Sequence, residues 1–332
     1  MSSFEHTHHA HCESGVMSSM LRHYGLNVSE PMVFGLSNAL NFAYIPFVKM
    51  GGMPLVAYRS MPKSIIKNIK KNLKIDMKLE TFSSVKKGED RLDELLKEGK
   101  IVGAQSSVYW LEYFPKEIRF HFNAHNLLVY DKEGDEYLIS DPVFDKSVRC
   151  SKKSLSKARF AKGVMAPKGL LYYPTHMPKE LDLKPVIAKN VKKLAKNMLR
   201  TPVPIAGLRG IKYLAKNIAK LKNKDKKYAK LFLAHVVRMQ EEIGTGGAGF
   251  RFMYASFLQE ASELFGGDRV LAEASKMMLA VGDEWRDFAL MIAKSLKGKK
   301  EIDFKTISQK LLTISENEKE VYKKMLEFKA SL

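Results

Sequence analysis

His125-Asn126-Leu127-Leu128-Val129-Tyr130, then Asp131 to Asp135, then Glu136-Tyr137-Leu138-Ile139-Ser140-Asp141-Pro142, is the stretch on which the fold turns. Its opening six residues include an apolar run that reads as a buried strand. Asp131 to Asp135, with Gly134 inside it, is turn chemistry, and Glu136 to Ser140 is a returning strand stopped by Asp141-Pro142. A hairpin of this kind puts His125 at the start of one strand and Asp141 at the end of its partner. The two positions can then face each other. A carboxylate there accepts a hydrogen bond from one ring nitrogen and holds the tautomer that presents the other. Taken singly, each residue has a plainer reading: His125 as a satisfied strand histidine, Asp141 as a turn residue before proline.

Working outward towards the N-terminus, Cys12 stands just before a helical stretch, Gly15 to His23, that Gly25 closes. The positive end of a helix and a nearby imidazole both favour thiolate, the attacking form of the group. The commoner fate of a free cysteine is a small buried hydrophobe. The order decides between them: a cysteine before a helix, then a histidine on a central strand, then an aspartate at the end of the next strand. That is the layout of papain-like hydrolases, with Cys12 as nucleophile, His125 as base and Asp141 as the acid that orients the ring. The chain has two cysteines, so a disulfide framework is excluded. Cys150, beside Arg149 with no histidine close in sequence, reads as inert. His6, His8, His9 and His11 near Cys12 invite a zinc reading, but no second cluster with metal-ligand spacing supports it, and no metal is expected.

The rest of the first half is mixed. Ser29-Glu30-Pro31 starts a helix, Leu55 to Tyr58 is a strand and Pro62 to Leu73 is a basic helix. Strands at Ile75–Phe82 and Ile101–Val108 enclose a helix near Asp90–Lys97, and Leu170 to Tyr173 is a further strand. After Pro174 the pattern is helical. Ile187, Val191, Leu194 and Met198 share one face, Ile211, Leu214, Ile218 and Leu221 another, with lysines opposite. Further helices fall near Lys227–Glu242, Phe250–Leu264, Arg269–Ser295 and Phe304–Leu326. The boundary is set near Thr175, giving domains 1–175 and 176–332. Gly244 to Gly249 lacks the Lys-Ser or Lys-Thr of a phosphate loop and joins two helices, so it reads as a tight turn.

The chain has 332 residues, 45% of them hydrophobic and 28% charged, as a globular protein has. No apolar run approaches the roughly 20 residues a membrane-spanning helix needs. The N-terminus carries histidines and acids where a secretory signal would be basic and then apolar, which points to the cytoplasm. The net charge of +20 favours acidic partners, with a solvated lysine surface as the plainer alternative. The basic stretch from Lys184 to Lys230 carries no nucleic-acid motif or stacking aromatics, so no nucleic acid is expected.

Three segments carry a resemblance. His11-Cys12-Glu13-Ser14-Gly15, Ser29-Glu30 to Phe34-Gly35-Leu36 with Asn41-Phe42-Ala43-Tyr44, and His125 to Asp141-Pro142 resemble the N-terminal domain of the butirosin biosynthesis protein H family. The second half resembles the domain that usually follows it, on Ile243-Gly244-Thr245-Gly246-Gly247-Ala248-Gly249-Phe250-Arg251, on Met253-Tyr254-Ala255-Ser256-Phe257-Leu258-Gln259-Glu260-Ala261, and on the turn Gly207-Leu208-Arg209-Gly210. The resemblance implies an α+β fold: a papain-like domain of C39 type followed by an all-helical domain. It implies acyl transfer from a carrier-protein thioester to an amine in specialised-metabolite biosynthesis. Cys12, His125 and Asp141 match the family's nucleophile, base and acid. The donor's phosphopantetheine arm would be the one cofactor-like group involved, and an acidic acyl carrier protein and a small amine the partners. C39-type peptidases place an oxyanion-binding glutamine before the cysteine. His6 stands near that place here, so His6, His9 and the Cys12 N–H are the candidate donors. A cysteine peptidase or amidase, a thioesterase, and a binding protein that kept the fold without catalysis are the rival readings.

Overall fold

The computed structural model describes residues 4–244, 246–298 and 300–330; Thr245 of the glycine-rich run lies outside the described residues. In chain order the elements are α1 (Cys12–His23), α2 (Glu30–Leu36), β1 (Leu40–Met50), β2 (Met53–Arg59), α3 (Ser64–Asn72), β3 (Asp76–Glu80), α4 (Val85–Lys97), β4 (Val102–Ser106), β5 (His125–Glu133), β6 (Glu136–Ser140), β7 (Val148–Ser151), α5 (Lys152–Arg159) and β8 (Leu171–His176). Helices follow: α6 (Lys184–Arg200), α7 (Gly207–Ala219), α8 (Lys226–Glu241), α9 (Arg251–Leu264), α10 (Arg269–Lys297) and α11 (Phe304–Glu327). They pack as two compact units. One joins the chain up to Val33 with Ile65–Leu181; the other joins Phe34–Ser64 with the chain from Asp182 onward. A single cut near Thr175 therefore does not describe the packing, because the β1–β2 hairpin belongs with the helices.

The first unit is built on an antiparallel sheet in the order β3-β8-β4-β5-β6-β7. The hairpin read from sequence is there. Glu133 pairs with Glu136 across Gly134 and Asp135, and Gly134 takes φ 58, a left-handed conformation that a Cβ disfavours. Side chains alternate across the sheet. Val102, Ala104, Leu127, Val129, Tyr137, Ile139 and Cys150 face α4 and α5, which contribute Leu92, Leu95, Leu155 and Ala158 to one buried cluster. Asn126 and Tyr172 point the other way, and α1 packs against β5 and β4. There Gly103 makes room for the Tyr172 ring, which an added Cβ would meet at 2.1 Å. The buried Glu13 of α1 ties this layer to α3, its Oε1 accepting from the backbone N–H of Ile65 at 3.0 Å and of Ile66 at 3.4 Å.

In the second unit the apolar stripes read from the sequence are buried as expected: Ile187, Val191, Leu194 and Met198 on α6; Ile211, Leu214 and Ile218 on α7. The hairpin is held by its aromatics. Phe42 and Tyr58 pack on Trp285 of α10 with ring centroids 5.9 and 5.5 Å away, and Tyr44 packs on Tyr213 and Phe232. Beside Trp285 lies a fully buried ion pair, Arg251 Nε to Glu318 Oε1 at 2.8 Å, which Trp285 Nε1 and the Tyr322 hydroxyl join as donors to the carboxylate at 2.6 and 2.8 Å. Two acceptor oxygens thus meet donors from three directions, as a buried charge requires. Among the described residues no helix is long and apolar enough to cross a membrane.

Candidate active site

Cys12 is the first residue of α1 rather than the residue before it, with His11 as the N-cap. The loop leading to it is braced by Glu30. That carboxylate accepts from the backbone N–H of Ala10 and of His11 and from the Ser14 hydroxyl, each at 2.9 Å. His11 Nδ1 accepts from the Ser14 N–H at 3.3 Å, capping the helix. Gly15 then lets the N-terminal segment and the Asp141-Pro142 turn close on α1. An added Cβ would lie 2.6 Å from the His9 Cβ and 2.9 Å from the Pro142 Cβ. The His9 N–H bonds the Pro142 carbonyl at 2.7 Å. These contacts deliver Cys12 to the end of the sheet where His125 starts.

His125 and Asp141 meet as the hairpin reading required. Leu128 pairs with Ser140, which makes His125 and Asp141 diagonal neighbours on one face. His125 Nε2 lies 2.7 Å from Asp141 Oδ2. A buried carboxylate there makes Nε2 the protonated nitrogen, so Nδ1 is the ring nitrogen left to serve Cys12. Burial alone would lower the pKa of this imidazole. The charge and hydrogen bond of Asp141, then the proximity of Cys12, outweigh it and raise the pKa from 6.5 to about 10. The site is enclosed: Cys12 is 6% exposed, His125 5% and Asp141 0%. The Phe114 ring stands edge-on to the imidazole at 5.5 Å.

Three further residues complete the arrangement. The Tyr113 hydroxyl donates to the same Asp141 Oδ2 at 2.7 Å, and the Val143 N–H reaches Oδ1 at 3.3 Å. The Asn126 Nδ2 is 3.9 Å from Cys12 Sγ. Glu30, Tyr113 and Asn126 carried no local signal that set them apart. Glu30 read as a helix start, Asn126 as one residue of a strand, and Tyr113 sits in the long connection between β4 and β5. Cys150 is in the opposite layer, fully buried, and burial pushes its thiol to about 12.

The oxyanion role expected of His6 and His9 does not fit their surroundings. His6 Nδ1 is 2.7 Å from the Ser140 hydroxyl and its Nε2 is 2.9 Å from the Phe144 carbonyl oxygen. His9 Nε2 bonds the Ser19 hydroxyl at 3.0 Å, and its Nδ1 lies 3.6 Å from Glu30 Oε2. Both nitrogens of His6 and the Nε2 of His9 are hydrogen-bonded within the protein, and these bonds fasten the N-terminal segment. Among the described residues no three His, Cys, Asp or Glu side chains gather as metal ligands would.

Residues 11–142 match the family model described as Butirosin biosynthesis protein H, N-terminal, which runs from the N-cap of α1 to the proline after Asp141. Residues 153–325 match the Domain of unknown function (DUF4872), over more than half of the chain. None of the curated proteins matches. Among solved structures, a presumptive C39-like peptidase from Bacillus anthracis is similar over 54% of this chain and 98% of its own, at 14% identity and a TM-score of 0.38. A helix that opens on Cys12, laid against an antiparallel sheet that supplies His125 and Asp141, is a papain-like arrangement, and the chain belongs to the DUF4872 family, with a segment before that domain that matches the butirosin biosynthesis protein H N-terminal model.

Proposed function

We propose that the protein is a cysteine-nucleophile acyltransferase that carries an acyl group as a Cys12 thioester from a carrier-protein thioester to an amine. The supporting observation is the buried His125–Asp141 pair together with Cys12, also buried, at the positive end of α1. In the first half-reaction the Cys12 thiolate attacks the donor's thioester carbonyl, and His125, protonated at Nδ1, gives its proton to the departing thiolate. In the second, the amine attacks the acyl-Cys12 carbonyl, His125 takes the amine proton, and Cys12 leaves as thiolate. Asp141 keeps the ring facing sulfur throughout. With the two histidines engaged elsewhere, the Cys12 N–H is the donor for the developing oxyanion. Enclosure by Phe114 favours a held amine over water.

The donor in this reading is an acidic acyl carrier protein bearing a phosphopantetheine arm, met in the cytoplasm. Lys189, Lys193 and Lys196 stand exposed on the outer face of α6, and Asp225 is the one acidic residue between Lys184 and Gln240. Such a surface attracts an acidic partner through long-range steering. The test is to load a carrier protein with an acyl chain and supply a panel of amines. Acylated Cys12 and an amide product, read by mass spectrometry, are expected. Free acid released equally with and without amine would make the protein a hydrolase. No acyl-enzyme and no product would leave it a binding protein on this fold.

A further inference from the structure

Beyond the three residues of the triad reading, one side chain touches the sulfur. Asn126 follows His125 on β5 but points to the opposite face of the sheet, under the start of α1. Its orientation is settled by its neighbours. Nδ2 lies 3.2 Å from the Ala124 carbonyl oxygen, which can only accept, so the amino group must be on that side. Oδ1 receives the Tyr172 hydroxyl at 3.2 Å. The second N–H of the amide is then the one available to Cys12, with Nδ2 3.9 Å from Sγ. Asn126 and Tyr172 are both buried, and Gly103 gives the Tyr172 ring the space it occupies.

We infer that the Asn126 carboxamide is a second donor to the Cys12 thiolate, aimed at the sulfur by Ala124 and Tyr172. The inference rests on Cys12 being the nucleophile. A thiolate enclosed to this degree has little water to solvate its charge, and each missing water must be replaced by a fixed donor or dipole. The helix terminus supplies one, the imidazolium another, and the Asn126 amide a third from below the helix. The phenol of Tyr172 suits the part. Burial, then the negative charges of Glu13 and Cys12, hold its pKa well above the ordinary 10, so it stays a hydroxyl that donates to Oδ1. The amide therefore cannot flip without setting an oxygen against the Ala124 carbonyl and losing the phenol.

The experiment is alkylation of the intact protein by iodoacetamide at pH 6 and pH 9, read by peptide mass, with circular dichroism to confirm the fold. Asn126→Leu should slow labelling of Cys12 about tenfold at pH 6, the worth of a hydrogen bond to a charged group, and leave it near the wild-type rate at pH 9. Asn126→Asp, which sets an oxygen in place of the donor, should be slower still at pH 6. Tyr172→Phe should act in the same direction with a smaller effect. If Asn126→Leu does not fold, the other two variants carry the test. Wild-type labelling at pH 6 in the Asn126 variants would overturn the inference and leave the nucleophile standing. A wild-type Cys12 that labels at pH 6 no faster than a free thiol would overturn both.

Discussion

At the scale of single residues, the two cysteines give the sharpest contrast. Cys12 opens a helix beside an imidazole; Cys150 lies in the apolar layer with its thiol pushed to about 12. Alkylation at mildly acidic pH should label Cys12 and spare Cys150, and preferential labelling of Cys150 would remove the nucleophile assignment. His125 sets the pH range. Its pKa is raised from 6.5 to about 10, so its charged form adds stability that is complete below 6.5 and lost as pH rises through about 10. The alkaline limb of kcat/KM should lie near that upper value. Asp141→Asn removes the opposing charge, leaves burial to lower the ring, and should bring the limb down. It should also cost on the order of 10³-fold in kcat, because a wrong tautomer cannot take the proton. A wild-type rate in Asp141→Asn would place the third member elsewhere. The placement of His125 beside Asp141 was legible because a hairpin fixes which positions face each other. The hydrogen bonds of His6 and His9 were not legible, because sequence distance from Cys12 says nothing about which ring nitrogens the fold engages.

At the scale of elements, helices were the readable part. A 3.6-residue stripe such as Ile187, Val191, Leu194 and Met198 has one use in a packed protein, and α6 buries it. Strand β1 was not readable as a strand. Pro46 interrupts it, its pairing slips between Ile45 and Lys49, and its outer half is exposed, so no clean alternation reaches the eye. The four-residue β7 and the serine-rich α5 were too short to signal. Gly15 shows how a helix position can be set by what lies outside the helix. Alanine is intrinsically better in a helix by about 0.5–1 kcal/mol. Here its Cβ would strike the Cβ atoms of His9 and Pro142, which sit close to backbone and cannot swing away. Overpacking of that kind costs about 1–3 kcal/mol, so the clash wins. Gly15→Ala should lower Tm and slow Cys12 labelling together. A raised Tm would show that the turn has room to give.

At the scale of the whole molecule, the sequence domains and the compact units do not coincide. The butirosin-type match covers residues 11–142, yet Phe34–Ser64 inside it packs with the helical unit, and the second match begins at residue 153, before β8 completes the sheet. The change of composition near Thr175 was visible; the early excursion was not, because pairing of distant segments leaves no mark on local pattern. It sets the outcome of truncation. A fragment that stops near Leu181 keeps Phe42, Tyr44 and Tyr58 but loses Trp285, Phe232 and Tyr213 that bury them. Each buried aromatic is worth about 1.5–3 kcal/mol, so the fragment should aggregate, and a soluble, fully active one would contradict the packing. The same unit bears the basic faces. Reversing Lys189, Lys192, Lys193 and Lys196 to glutamate leaves the buried stripe of α6 untouched. Circular dichroism should therefore be unchanged. If the donor is an acidic carrier, its on-rate should drop steeply in the variant, and in the wild type it should fall as salt shortens the Debye length from about 10 Å at 0.1 M. Turnover of a small thioester that needs no docking should stay level. An equal loss on carrier and small thioester would mean that these lysines act on the chemistry or the fold, and an unchanged carrier rate would place docking on another face.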